Sequence, residues 1–354
     1  MLRDDLEEMK DFSVYPGSPR AKMDQNESPF PFSDRLRGIL ASHIKQYPFH
    51  RYLRPERLMA LKESLAAYTG ADPAAIAIGA GADALIQSLI AVSASGQGNV
   101  FCFHPTYPLY QLFARVLNVP SVSLPLLKPD FSFDIEKAEK LIEKSAIAFI
   151  TYPNNPTGNL FEKEMIMTLI RSHPHCEFVL DEAYYEYSGQ TFVPEVPNHP
   201  NLTVVRTFSK FFSIPSLRLG YLIGRPEIVS AVEKAQFVPY NVSAFSVETG
   251  IVILENRSDF EKDREGMITQ REELMNCLKT LPHVRAYPSY GNFIFISFPP
   301  GKNPARALYD KGIYVRDFSN IAGYEDFIRI TVGRPSENRL FFESLKSMIK
   351  KKGK

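Results

Sequence analysis

At 354 residues the chain exceeds what one hydrophobic core ordinarily holds, so two domains are expected. Its 41 Lys+Arg against 40 Asp+Glu leave a formal charge of +1, which gives no electrostatic ground for a nucleic acid or an anionic membrane as partner. Three widely spaced cysteines (Cys102, Cys176, Cys277), no apolar run of membrane-spanning length and an acidic Met1–Glu8 without an apolar core point to a soluble, cytoplasmic protein.

In chain order, residues 1–47 form an arm whose Pro- and Gly-rich part, Tyr15–Phe32, is expected to wrap the molecule rather than pack as a regular element. From 48 to 240, short apolar runs alternate with segments of helical period. The runs are Ile76–Ile78, Val100–Phe103, Ala146–Ile150, Phe178–Leu180, Thr203–Val205 and Tyr221–Ile223. The helical segments are Glu56–Tyr68, Ala84–Val92, Tyr107–Leu117, Ile135–Lys144 and Lys163–Arg171. Strands buried on both faces and separated by helices predict a mostly parallel sheet in a large α/β domain. From 241 to 354 the pattern changes to two helices, Ser243–Asn256 and Asp259–Leu281, followed by strands at Asn292–Ser297, Gly312–Val315 and Phe327–Val332. These predict a smaller α/β or α+β domain.

Several residues carry chemistry. Lys210 lies among Phe208, Phe211 and Phe212; burial there lowers the pKa of an amine and suits it to Schiff-base formation. Arg218, eight residues on, is a fixed cation suited to phosphate. The turn Gly79-Ala-Gly-Ala-Asp-Ala84 follows a strand and opens a helix, a place for phosphate on backbone amides. It also satisfies a dinucleotide fingerprint, but the following strand ends Phe103-His104-Pro105 without the carboxylate that reading needs. Asp181-Glu182 closes another strand. The pattern G-x-x-x-x-G-K-[ST], which would make that carboxylate a magnesium ligand, is absent. Such an Asp can keep a pyridine nitrogen protonated or simply cap a helix. Asn155, in Asn154-Asn-Pro-Thr-Gly158, can donate to a phenolate oxygen, although the segment alone is a good turn. Tyr107 can stack on a flat ring or sit in the core. Arg316 and Arg329, at or in apolar strands, each require an anion or a structural ion pair. Ser172-His-Pro-His-Cys176 lacks a second ligand group, so no metal site is expected.

Together Asn155-Pro-Thr-Gly158, Asp181-Glu-Ala-Tyr184, Ser209-Lys210 and Arg218 resemble the pyridoxal 5′-phosphate aminotransferases of the aspartate aminotransferase superfamily. Asn26-Glu-Ser-Pro29, Val205–Lys210, Gly291-Asn-Phe293, Val315-Arg316 and Arg329–Gly333 are most similar to the histidinol-phosphate aminotransferases within it. The resemblance implies the PLP-dependent transferase fold and transfer of an amino group between L-histidinol phosphate and 2-oxoglutarate. The alternatives are an aromatic amino-acid aminotransferase and a threonine-phosphate decarboxylase. It implies that Lys210 forms the Schiff base and shuttles a proton between Cα and C4′. Asp181 would pair with the ring nitrogen, Asn155 and Tyr184 would hold the 3′-oxygen, and Tyr107 would stack on the ring. Ala82, Asp83, Thr207, Ser209 and Arg218 would bind the cofactor phosphate. Arg329 would grip a carboxylate, Arg316 the substrate phosphate, and Asn26 and Tyr15 would line the substrate pocket. It further implies a homodimer with shared active sites, in which Tyr47 or Tyr52 reaches the partner's cofactor phosphate.

Overall fold

The computed structural model describes residues 16–96, 98–238 and 240–351. Twelve strands form among them: β1 (Ala21–Met23), β2 (Ile76–Gly79), β3 (Asn99–His104), β4 (Ser121–Pro125), β5 (Ser145–Thr151), β6 (Glu177–Asp181), β7 (Leu202–Thr207), β8 (Gly220–Ile223), β9 (Arg285–Ala286), β10 (Phe293–Ser297), β11 (Ile313–Asp317) and β12 (Phe327–Thr331). Seven of them build one sheet in the order β2-β8-β7-β6-β5-β3-β4. Only β8 runs against its neighbours, so β2 through β7 all point the same way. This is the α/β fold expected from alternating runs and helices.

The central strands β6 and β7 are buried at every residue, because helices cover both faces. Side-chain alternation divides each strand between two cores. Ile147, Phe149, Val179 and Val205 join Leu85, Leu89, Ile90 and Val232 from the helices Ala82–Ser93 and Pro226–Ala235. Ala148, Ile150, Phe178, Leu180 and Val204 face the opposite way, into a core continuous with the second sheet. That second sheet has the order β1-β11-β12-β10-β9.

Three elements differ from the sequence expectation. The arm supplies β1, which pairs in parallel with β11 (Ala21↔Ile313 to Met23↔Val315), so this part packs as a regular element after all. The arm also forms the helix Asp34–Gln46, capped by Ser33, whose Oγ accepts from Leu36 N at 3.2 Å. β4 is the edge of the large sheet, where half-exposed alternation replaces a continuous apolar run.

Behind the sheet edge lies a buried polar cluster. Glu182 accepts from Phe192 N (2.6 Å), Thr191 Oγ1 (2.8 Å) and the Arg206 guanidinium (2.8 and 3.0 Å). Arg206 also stacks on Tyr185, 3.6 Å from the ring centroid. Neighbouring Glu186 has one side-chain donor, Tyr68 OH at 3.2 Å. Burial, opposed by Arg206, pushes its carboxyl up to about 7 from 4.5. The folded state therefore holds this proton more tightly than the unfolded chain. The stability it contributes is complete below about pH 4.5 and is lost as pH rises through about 7. Glu186→Gln should flatten urea-unfolding stability across that window, gaining on the order of 2 kcal/mol on the parent by pH 8. Parallel stability profiles for the two proteins would contradict a proton held on Glu186.

Candidate active site

Because six strands run in one direction, their C-terminal ends share one edge of the sheet, the usual crevice for ligands. Along that edge follow the turn after β2, Tyr107 after β3, Asn155 after β5, Asp181 at the end of β6 with Tyr184 beyond it, and Thr207 to Lys210 after β7. The second sheet faces the same place with Arg329 of β12.

The arm closes over it. Lys210 Nζ donates to the Gln25 carbonyl at 2.9 Å, and Arg329 Nη2 donates to the Asp24 carbonyl at 2.6 Å. Asn26, in the left-handed region at φ 53°, donates through Nδ2 to Tyr184 OH at 2.9 Å and through its backbone N–H to Thr331 Oγ1 at 2.8 Å. Burial pushes Lys210 down to about 8 from 10.5, with nearby Arg329 adding to the effect. Burial also lowers Arg329 to about 10, opposed by Tyr184 and reinforced by Arg316. Arg316 sits directly opposite Arg329 in the β11–β12 register. Like charges placed opposite each other on adjacent strands are destabilising unless something anionic lies between them. Arg329 Nε is buried and has no hydrogen-bond partner among the described residues, which fits an anion at this spot.

Asp181 is buried at the sheet edge. Its Oδ1 accepts from Ala183 N at 3.1 Å and its Oδ2 from Tyr110 OH at 2.6 Å. Burial pushes it up to about 6 from 3.8 against the pull of those bonds. Asn155 commits Oδ1 to Arg329 Nη1 at 2.6 Å, so its amide N–H₂ is the donor that remains. Tyr184 lies edge-on to Phe293, ring centroids 4.9 Å apart. Burial raises its phenol pKa, while Arg329 and the Asn26 bond pull it back.

At the other end of the edge, Gly81 (φ 86°) caps the helix Ala82–Ser93. A Cβ on Gly81 would come within 2.7 Å of Arg218 Nη2, and one on Gly220 within 2.5 Å of Ala82 N, so both glycines keep a backbone cradle open beside the guanidinium. Asp83 accepts from Arg218 Nη2 at 2.6 Å and from Tyr107 OH at 2.8 Å, fixing both side chains. Ser209 and Thr207 complete the group, Thr207 Oγ1 lying 3.0 Å from Ser209 Oγ. An amine near neutrality, an acid at a strand end, an aromatic ring and a cradle of amides with an arginine can hold a phosphorylated aldehyde.

Of the expected contributors, Tyr47 and Tyr52 stand apart. Tyr15 lies outside the described residues. Tyr47 ends the helix Asp34–Gln46, and with Tyr52 it lines an open cleft of about 620 Å³ that shares no residue with the Lys210 site. Residues the sequence did not flag are Tyr110, Thr151 and Thr106 behind Asp181, Asn292, which donates to the Asn26 carbonyl at 3.0 Å, and the carbonyls of Asp24 and Gln25. Tyr110 had a signal: it follows Tyr107 by three residues, one helical turn into the same motif.

This fold and this site are those of an aminotransferase: the chain belongs to the aminotransferase class I and II family, which it matches over residues 21–345. A histidinol-phosphate aminotransferase of Thermoanaerobacter sp. (strain X514) is 32% identical over 354 residues, covering 99% of both proteins. One from Aquifex aeolicus is also 32% identical, over 99% of this chain and 98% of its own. Among solved structures, histidinol-phosphate aminotransferase from Sinorhizobium meliloti in complex with pyridoxal-5′-phosphate superposes with a TM-score of 0.86, at 22% identity, covering 99% and 98% of the two chains.

The lowered pKa of Lys210 has a direct consequence for the cofactor-free protein. Reductive methylation by formaldehyde, followed by mass spectrometry, should show Lys210 modified with a midpoint near pH 8, while exposed lysines follow the ordinary range. A midpoint above 10 for Lys210 would remove the desolvated amine from the site.

Proposed function

We propose that this protein uses pyridoxal 5′-phosphate to transfer the amino group of L-histidinol phosphate to 2-oxoglutarate, giving imidazole-acetol phosphate and L-glutamate, a step of histidine biosynthesis. The observation that carries the reading is the Arg316–Arg329 pair beside Lys210. Histidinol phosphate is charged on one phosphate and has no carboxylate. Glutamate carries two carboxylates. Two adjacent guanidiniums serve either anion in turn at one place, which a transaminase requires. The full-length likeness to histidinol-phosphate aminotransferases supports the same substrate.

The residues present fit the cofactor. The Ala82 and Asp83 amides, Ser209, Thr207 and Arg218 would hold its phosphate; Asn155 and Tyr184 would hold its phenolic oxygen, and Tyr107 would lie against its ring. When bound, the cofactor supplies a ring that takes up the electrons of the substrate Cα–H bond. Lys210 would hold the cofactor and, as a free amine, would carry a proton between Cα and C4′; its lowered pKa favours that free amine. Asp181 would keep the ring nitrogen protonated. Asn26 and Asn155 orient Tyr184 and Arg329. The arm's carbonyls at Asp24 and Gln25 cover the site and exclude water.

A homodimer completes this reading, with Tyr47 or Tyr52 reaching the partner's cofactor phosphate. Supporting it, Tyr52 is 80% exposed and Phe49, Phe237 and Tyr240 are exposed as well. A cytoplasmic location is supported by three free cysteines, and no helix of the described residues is long and apolar enough to cross a membrane.

Adding L-histidinol phosphate without a keto acid to the coloured protein should remove the visible cofactor band, and 2-oxoglutarate should restore it. A coloured protein indifferent to that donor would overturn the substrate. Lys210→Ala should abolish turnover with the fold intact. Arg316→Ala should cut kcat/KM for histidinol phosphate by at least about 100-fold, on the scale of a lost charge-assisted pair, and for aromatic amino acids far less. Equal losses would take the phosphate away from Arg316.

A further inference from the structure

Three consecutive carbonyls of the arm each accept from a side chain of a different element. The Asp24 carbonyl takes Arg329 Nη2 at 2.6 Å, the Gln25 carbonyl Lys210 Nζ at 2.9 Å and the Asn26 carbonyl Asn292 Nδ2 at 3.0 Å. An extended chain turns successive carbonyls to alternate sides, and the left-handed Asn26 (φ 53°) ends that alternation directly after Gln25. In a residue with a Cβ such a conformation persists where its surroundings impose it.

Here two buried residues of the second sheet impose it. Thr331, at the end of β12, accepts from Asn26 N at 2.8 Å and donates to Asn26 Oδ1 at 3.3 Å. Asn292 stands immediately before β10, and the Phe293–Thr331 pairing together with the bond from Val332 N to the Asn292 carbonyl (2.9 Å) sets it beside Thr331. With the bond from Asn26 Nδ2 to Tyr184 OH, the backbone N–H, the carbonyl and both ends of the Asn26 side chain are all engaged. The Asn292 amide has one orientation, because the reverse would face its Oδ1 with the Asn26 carbonyl oxygen. That orientation leaves Oδ1 buried without a hydrogen-bond partner among the described residues, so Asn292 holds an orphaned acceptor for the sake of its bond to Asn26. Arg329, two residues before Thr331 on the same face of β12, fixes Asp24. Gln25 therefore stands between two anchored neighbours. We propose that Asn292 and Thr331 are positioning residues that act through Asn26 to seat the Gln25 carbonyl on Lys210 Nζ and keep water from that amine. On the functional reading above, on which the use of this latch rests, it is the amine that carries a proton between Cα and C4′.

The latch gives Lys210 a signature with a definite sign. Burial is the largest influence lowering its pKa, followed by Arg329 of β12, and Arg218 acts the same way. Glu27 on the arm and Asp83 on the helix Ala82–Ser93 pull upward more weakly. Unseating the arm readmits water and so removes the largest influence. It also withdraws the Gln25 acceptor and Glu27, both of which favour the charged amine, but these are smaller than the burial that is lost. The pKa must then rise. A substitution that only weakens the fold leaves the amine of the folded molecules where it was.

The test is reductive methylation of the cofactor-free protein across pH, with Lys210 followed by mass spectrometry. Thr331→Val keeps the branched shape and loses the hydroxyl; Asn292→Leu keeps the size and loses the amide. Each should raise the Lys210 midpoint by on the order of one pH unit above the parent, toward an ordinary lysine. Thr331→Ser, which keeps the hydroxyl, should hold the parent value. An unmoved midpoint in Thr331→Val or Asn292→Leu, or a raised one in Thr331→Ser, overturns the proposal. Should the sheet variants not fold, Asn26→Ala, in the arm and outside both sheets, carries the same expectation and decides. Should the parent protein fail to take up pyridoxal phosphate, the functional reading falls while the cofactor-free midpoints still judge the latch.

Discussion

The site depends on withholding water from charges that are left incompletely paired. An ion moved into a protein interior loses several kcal/mol of solvation, which only good geometry and further hydrogen bonds recover. Lys210 and Arg329 receive little of that compensation from side chains of opposite charge. Their bonds go to neutral oxygens: the carbonyls of Gln25 and Asp24 and the amide of Asn155. A carbonyl stabilises a cation less than a carboxylate does, so both groups keep depressed pKa values and a standing affinity for an anion or an electrophile. The pairing of β1 with β11 has its meaning here. It pins the arm so that those carbonyls arrive at the junction of the two sheets.

The contrast between Asp181 and Glu182 makes the same point from neighbouring residues. Glu182 is fully served by a backbone N–H, a threonine hydroxyl and a guanidinium, and it holds the chain behind the sheet edge. Asp181 has one hydroxyl and one backbone donor, and burial keeps its carboxyl high. One carboxylate stabilises the scaffold. The other is left with unmet electrostatic demand, which a protonated ring nitrogen can supply.

Much of the architecture was legible because burial on both faces writes itself as apolar runs. β5, β6 and β7 stand out as Ala146–Ile150, Phe178–Leu180 and Thr203–Val205, each within two residues of the observed strand ends. The edge strand β4 was not legible, since Val122 and Leu124 alternate with exposed serine and proline and read like a loop. β1 is three residues long and exists only because β11 is beside it, information no local pattern contains. The site divides in the same way. Lys210, Asp181, Asn155 and Arg218 follow strands or turns whose positions the pattern supplies. Tyr110, Thr151 and Thr106 are tied to Asp181 across separations of up to 71 residues, so their spacing says nothing of the contact.

Register is the strongest case of such non-local information. Arg316 and Arg329 are thirteen residues apart in the sequence, and each alone reads as a strand arginine awaiting an ion pair. Antiparallel pairing of β11 with β12 sets them opposite each other, so the two cannot serve as each other's partner. A single-residue slip would carry Arg329 to the other face of its strand and dissolve the pair. The repulsion is tolerated because β12 is held from both sides, by β10 over five residues and by β11. The sheet thus meets the cost of placing two guanidiniums side by side in the fold itself. A substrate with its charge gathered on one phosphate gains most from it, because both guanidiniums can address the same group. A neutral aromatic side chain would leave that field unused.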